Sequence, residues 1–291
     1  MNISIIICCY NSEARIKNTL KALYSCIDNY AYECEVIIVD NNSTDKTREI
    51  ALEYWESINK NNYRMNIFFE STPGLSYARY CGAINSNYDL LLFCDDDNWL
   101  QKTYFHSIPD YFKNKNVGAL GGRGIPFSDK PIPDWFFEHM DAYACSTQKK
   151  GMLYGASLVI RKDILMNFYS NDLSKSIIGR TAEKLDSGED NFLCEYITSS
   201  GYTLESNNIP FIHFMSSARL TPEYLYKLSY SFGQATYKIR SQNKGKYFHT
   251  LYITLTIIKE IYLSFFCCKY KKIRLQRGIS FIKGYLASWI N

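Results

Sequence analysis

Residues 90–100, "LLLFCDDDNWL", set Asp95, Asp96 and Asp97 in unbroken succession after an apolar run. The three carboxylates repel one another, and no Lys or Arg within the stretch offsets them. A short apolar run without polar alternation is the pattern of a strand buried on both faces. Such strands belong to sheets covered by helices, where ligands bind at the carboxyl ends of the strands. Three acids at such an end therefore predict a site at the strand's end.

Reading outward from this stretch, the same pattern recurs. "ISIIIC" (3–8), "EVIIVD" (35–40), "MNIFFE" (65–70) and "YDLLLFC" (88–94) read as buried strands. Between them lie helical periodicities. Ile16, Leu20, Leu23 and Ile27 share one face, with Ser12 as the expected N-cap. Ile50, Ala51, Tyr54, Trp55 and Ile58 form a second face, and "LSYARYCGAI" (75–84) a third helix. Strands alternating with helices imply right-handed crossovers and a mainly parallel sheet. "CYNSE", "VDNNSTD" and the aspartate run then meet at one sheet edge. Beyond residue 115 the rhythm loosens. "VGALGGRG" (117–124) reads as a strand entering a glycine turn, "LYGASLVIR" (153–161) as a strand, and "SGEDNFLCEYITSSGY" (187–202) as a helix with acids in its first turn. "TLESNNIPFIHF" (203–214) reads as a last strand, and the sequence after Pro222 as helical.

The bulk numbers agree with a folded enzyme-sized chain. It has 291 residues, 46% hydrophobic and 21% charged, with 25 Tyr and 17 Phe, which excludes a disordered chain. The start "MNISIIICCYN" has no basic leader region and no cleavage site, so no secretory peptide is expected. The 10 Cys show no CxxC and no zinc spacing, which predicts reduced thiols and a cytoplasmic setting. The net charge of +4 hides an asymmetry: residues 221–291 carry 12 Lys and Arg against 2 Asp and Glu. An acidic body with a basic end suggests two roles on one chain.

The first βα turn has no glycine, so it is no dinucleotide fingerprint, and no phosphate-binding P-loop occurs. Phosphate charge must be met otherwise. Hard carboxylate oxygens at a strand end suit Mg²⁺ or Mn²⁺, which bind substrate phosphates and keep waters. A cation and its diphosphate would offset the repulsion within the aspartate run.

Seven motifs in order, "CYNSE", "VDNNSTD", "PGLSYARYCGA", "CDDDN", "YGASLVIRK", "GEDNFLCEYITSSGY" and "IHF…R", resemble those of family 2 glycosyltransferases of the GT-A fold. They cover about residues 1–220. The resemblance implies an α/β GT-A domain over 1–220, with a nucleotide half to about 115 and an acceptor half over 116–220. It implies an inverting transfer from a nucleotide-sugar, with a UDP-sugar favoured, in a pathway such as polysaccharide biosynthesis. Tyr10 and Glu13 would line the nucleotide pocket, and Asp40 would accept a bond from the base. Gly74 would let backbone approach the nucleotide, and Arg79 would face its charge. The DxD positions fall on Asp95 and Asp97. Asp97 would hold the metal with His213, and Asp95 or Asp96 would meet ribose, sugar or metal. Asp190 would be the catalytic base and Glu189 its neighbour or an acceptor ligand, although acids in a first helical turn are also favoured by the helix dipole alone. Arg219 would stabilise the leaving diphosphate, while Arg123 and Trp135 would contact donor sugar and acceptor.

Residues 221–291 form the remaining region. "LYITLTIIKEIYLSFFCC" (251–268) is apolar, but Lys259 and Glu260 make it a poor spanning helix, and "KYKKIRLQR" (269–277) follows directly. Clustered cations beside apolar and aromatic residues predict helices lying on an anionic membrane surface. No nucleic-acid reader motif accompanies the charge. The expected partners are thus a nucleotide-sugar, a glycan or lipid-linked acceptor, and the membrane. The rival readings are transfer to a polyprenyl phosphate, a sugar-nucleotide pyrophosphorylase and an inactive assembly scaffold. The pyrophosphorylase lacks its Gly-rich basic loop.

Overall fold

The computed structural model describes residues 1–28, 30–148, 151–171, 188–241 and 245–290, without the side chains of 207, 208 and 246. Ser187 of the "SGED" motif lies outside these residues. The chain divides into two compact units. Among the described residues, the first holds 1–127, 144–171 and 189–214, and the second holds 128–143, 188 and 215–290.

The first unit alternates strand and helix as the apolar runs require: β1 (Ile3–Cys9), α1 (Ile16–Ile27), β2 (Cys34–Asp40), α2 (Thr47–Ile58), β3 (Met65–Phe69), α3 (Leu75–Ile84) and β4 (Leu90–Phe93). It continues with β5 (Asn98–Trp99), α4 (Lys102–Phe112), β6 (Val117–Phe127), β7 (Leu158–Arg161), α5 (Lys162–Ser170), α6 (Glu189–Ser199) and β8 (Thr203–Phe214). The sheet order is β3-β2-β1-β4-β7-β6-β8-β5. β1 through β4 pair in parallel. β7 runs antiparallel to β4 and to β6, whereas β8 runs parallel to β6.

Period-two alternation along β1 divides the core between the two faces of the sheet. Ile3, Ile5 and Ile7 pack with Ile16, Leu20 and Leu23 of α1 and with Phe105 and Ile108 of α4. Ile6 faces the other way, in one cluster with Ala78 and Cys81 of α3, Leu165 and Phe168 of α5, and Leu193 and Ile197 of α6. Each fully buried Ile or Leu contributes roughly 1.5–3 kcal/mol of transfer free energy. A buried polar pair in these strands, Ser4 and Glu35, is joined by a 2.7 Å hydrogen bond.

Three sequence expectations change. "VGALGGRG" is no turn: β6 continues through its glycines to Phe127, with a register shift against β8 between Gly121 and Arg123. Those glycines admit close neighbours. A Cβ at Gly121 would strike the Gln148 amide, and one at Gly124 would strike the Ala144 carbonyl. The strand expected over 153–161 begins only at Leu158, after a bend with Ser157 at φ 56°. Ser12 does not cap α1, whose N-cap position is Arg15. The Ser12 hydroxyl is used elsewhere, as the site shows.

The second unit holds two short 3₁₀ turns (Asp134–Glu138 and Met140–Tyr143) and a third at Ser217–Arg219. Helices α7 (Pro222–Ser241), α8 (Lys246–Tyr262) and α9 (Lys271–Ile290) follow, with one π turn (Leu263–Cys267) extending α8. Arg277 ties α9 to the 3₁₀ turns through Asp141 at 2.7 Å and His139 Nδ1 at 2.9 Å. Burial and the cations Arg277 and Arg274 depress the His139 pKa to about 4, against a smaller opposing pull from Asp141. Its Nδ1 is therefore a neutral acceptor for Arg277. By length and composition Tyr247–Cys267, 21 residues, is long and apolar enough to cross a membrane.

Candidate active site

The carboxyl ends of β1, β2 and β4 converge as expected, and side chains lace them together. Asn11, at φ 47°, accepts the Thr44 N–H at 2.8 Å and receives the Ser43 hydroxyl oxygen on its own N–H at 3.0 Å. Asn41 holds the loop after β3: its amide donates to the Thr72 carbonyl at 2.7 Å and accepts the Gly74 N–H at 2.9 Å. Gly74 sits at φ 144°, a conformation L side chains rarely adopt. Asp40 is buried and accepts the Ser43 N–H at 3.1 Å, so at least one of its oxygens braces the turn. Glu13 accepts the Lys46 N–H at 3.0 Å, which ties one of its oxygens to the start of α2. Tyr10 is exposed at the mouth of the β1 turn.

The aspartate run splits. Asp96 is turned into the protein: the Ser12 hydroxyl donates to its carboxylate, Arg15 pairs with it at 2.6 Å, and Thr19 donates to its carbonyl at 2.7 Å. Burial and the neighbouring Asp97 raise the Asp96 pKa, while Arg15 opposes them. The sequence placed Asp96 among donor contacts; in the structure its carboxylate meets Ser12 and Arg15. Asp97 is buried with Oδ1 3.4 Å from His213 Nε2, and its carbonyl accepts the Phe214 N–H at 2.9 Å. Burial lowers the His213 pKa, but Asp97 more than reverses this and the net value is about 10. His213 Nδ1 lies 3.8 Å from Cys145 Sγ. Asp95 also has a raised pKa, from burial and from Asp97, with Arg79 pulling against both.

Arg79 is the hinge of the arrangement. It is almost fully buried, lies over the Phe93 ring at 5.4 Å, and donates to Asp190 Oδ1 at 2.9 Å. Burial disfavours its charge, but Asp190, Asp95 and Glu189 outweigh burial and raise its pKa above the ordinary arginine value. The sequence assigned Arg79 to the nucleotide; its direct partner is Asp190. The second oxygen of Asp190 accepts the Gly155 N–H at 2.8 Å. A Cβ at Gly155 would collide with both the Asp190 carboxylate and the Arg79 guanidinium. Glu189 is buried beside Asp190 at the start of α6. Arg123, on β6, is half-buried and paired in register with Pro210 of β8. Trp135 and Arg219 belong to the second unit: Trp135 is buried against Phe136 and His139, and Arg219 ends a 3₁₀ turn.

Among the described residues no three His, Cys, Asp or Glu side chains by themselves form a metal cluster. Asp97, with Asp95 two positions earlier in the run and His213 as a neutral imidazole, nevertheless offers donor types that suit a hard divalent cation. Such a cation commonly takes one or two carboxylates and draws its remaining ligands from water and substrate phosphate. Sequence reasoning passed over Arg15, Cys145, Gln148 and Gly155. Only Gly155 carried a signal, since it stands inside the "YGAS" motif.

Residues 4–170 match the family described as Glycosyl transferase family 2, and the chain belongs to that family. The 4,4'-diaponeurosporenoate glycosyltransferase of Staphylococcus haemolyticus is 35% identical over 143 residues, 48% of this chain and 35% of that protein. The chain spans 19% of the length of one curated relative, the glycosyltransferase GlyA of Streptococcus pneumoniae, which is 29% identical over 48% of this chain. Among solved structures, the mannosyltransferase PcManGT from Pyrobaculum calidifontis, in complex with GDP-Man and Mn²⁺, superposes with TM-score 0.65 at 13% identity. That likeness covers 99% of this chain and 86% of the other. It shows the fold, an α/β GT-A architecture with C-terminal helices. The relatives named here are glycosyltransferases.

Proposed function

We propose that this chain moves a sugar from a UDP-sugar to a hydroxyl of a glycan or lipid-linked acceptor, with inversion. The reaction would take place at an anionic membrane surface reached through residues 221–291. The observation that carries the catalytic reading is Arg79, which pairs directly with Asp190 and is electrostatically coupled to Asp95. One buried cation thus links the end of β4, where a donor diphosphate would lie, to the carboxylate that would serve the acceptor. Asp97 and His213, with Asp95, would hold Mn²⁺ or Mg²⁺, and the cation would supply charge stabilisation for the departing diphosphate. PcManGT was crystallised with Mn²⁺, which supports this assignment.

The acceptor hydroxyl becomes a competent nucleophile only as its proton leaves, and Asp190 is the residue to take it. Its geometry is fixed from two sides, by the guanidinium and by the Gly155 N–H. Glu189, buried in the same helical turn, would orient the acceptor. Asp96 sets the position of the run by tying it to α1.

Calorimetry with UDP tests the donor half. Parent protein with Mn²⁺ is expected to bind, parent in EDTA to bind weakly, and Asp97→Asn to bind weakly even with Mn²⁺. Equal affinity in all three would remove Asp97 and the cation from donor binding.

A further inference from the structure

Helix α8 and its π turn carry an apolar face that the fold leaves uncovered. Leu251, Leu255, Ile258, Tyr262, Phe265 and Phe266 are each more than half exposed. Their spacing of three and four places them along one side of the helix. A contiguous apolar strip of this kind is rare on a water-facing surface and marks a contact site. The strip ends in cations: Lys259 beside it, and Lys269, Lys271 and Lys272 immediately after it, are all exposed.

The other side of α8 is occupied. Ile253 and Ser264 are buried, and His249 Nδ1 shares a 2.6 Å hydrogen bond with the Tyr285 hydroxyl of α9. Arg240 of α7 lies over the Tyr252 ring at 4.2 Å, and Glu260 pairs with Arg274 at 2.8 Å. A crossing helix must present apolar atoms all round, or bury its polar side in a bundle that crosses with it. Here the partner helices carry Lys238, Arg240, Lys271, Lys272 and Lys283, which cannot enter hydrocarbon cheaply.

We propose that α8 lies in the plane of an anionic bilayer leaflet, with Leu251, Leu255, Ile258, Tyr262, Phe265 and Phe266 immersed and the 269–272 lysines on the headgroups. Length and composition would let α8 span, but its packing holds it in the interface. Charge complementarity selects the occupant: the lysines at the end of the strip match acidic headgroups, and a second copy of the chain would set these like charges against each other. This deepens the membrane reading of residues 221–291 and rests on it.

The full chain is tested by flotation with vesicles of phosphatidylcholine, alone or mixed with phosphatidylglycerol. The parent is expected to float with the mixed vesicles and poorly with phosphatidylcholine alone. A Leu251→Glu/Ile258→Glu variant alters two exposed positions. It should keep the parent's melting temperature and bind the mixed vesicles about tenfold more weakly. Lys271→Glu/Lys272→Glu should weaken binding mainly at low salt. Membranes from cells expressing the parent should release it in alkaline carbonate. If the parent does not float with the mixed vesicles, the membrane reading and this inference both fall. If it floats and the glutamate variant floats equally, the membrane reading stands and the assignment to this face is overturned. Retention after alkaline carbonate would mean a spanning helix. A lipid-free dimer that the glutamate variant converts to monomer would mean a contact between copies. Either result overturns the proposal.

Discussion

The two units of this protein place charge and apolar surface in opposite ways. In the first, isoleucines and leucines fill both faces of the sheet, and the acids gather where β1, β2 and β4 end. In the second, the ion pairs Arg274–Glu260 and Arg277–Asp141 lie within the unit, while Leu251, Leu255 and Ile258 face outward. The first pattern is complete in water, because its polar groups are at the rim and mutually braced. The second leaves one apolar side exposed. In the proposed reading the contrast separates chemistry from placement: one unit would carry the reacting groups, and the other would rest on a two-dimensional support.

The sharpest way to break this contrast is Asp190→Asn. If the first unit's rim is catalytic, turnover falls by about 10²–10⁴-fold while UDP affinity in Mn²⁺ stays near the parent's. Steady-state kinetics beside calorimetry separates the two quantities. Near-normal turnover would reduce Asp190 to the Arg79 counter-ion and leave the rim without a base.

A second test concerns the interior of the second unit. His139 has a folded pKa near 4, below its ordinary value of 6.5, so the unfolded chain takes up the proton first. Stability from this group is full above pH 6.5 and is lost as pH falls through the folded value. Across that window the loss reaches at most about 3 kcal/mol, from roughly 1.4 kcal/mol per pH unit. Urea unfolding between pH 7 and pH 4 should show it in the parent, and His139→Gln should flatten that part of the curve. Parallel curves for the two proteins would mean that His139 is not held neutral.

Smaller, and aimed at the link between base and sheet, is Gly155→Ala. The added methyl meets the Asp190 carboxylate and the Arg79 guanidinium. A displacement of the base on the order of 1 Å should cost about 10²-fold in kcat, with a modest change in donor KM. A thermal melt checks that the variant is folded. If kcat is unchanged in a folded variant, the Gly155 N–H does not set the position of the base.

Much of the first unit was legible in the sequence because strands buried on both faces must be written as unbroken apolar runs. The runs "ISIIIC" and "LLLF" fall within β1 (Ile3–Cys9) and β4 (Leu90–Phe93) for that reason. The misreadings share one cause. Gly121, Gly122 and Gly124 look like a turn in sequence, yet they admit the side chains of Tyr104 and Gln148 and the backbone of Ala144 against a continuous strand. Only packing across long chain separations distinguishes a glycine that bends from a glycine that makes room.

Sequence alone determined that acids would stand at the end of β4, that a helix would open with Glu189 and Asp190, and that the chain would end basic and apolar. These are local facts of pattern and composition. Tertiary structure decided which partner each aspartate meets. Asp96 is claimed by Ser12 and Arg15, about eighty residues earlier in the chain, and Asp97 faces His213 of β8, far later in the chain. It also decided that Arg79 meets Asp190, 111 positions away, and that one side of α8 is spent on its neighbours while the other is left bare. Consecutive acids are alike in sequence. They become different only when folding brings a distant cation to one and a distant imidazole to another, because charge–charge and hydrogen-bond energies fall off within a few ångströms in a screened medium.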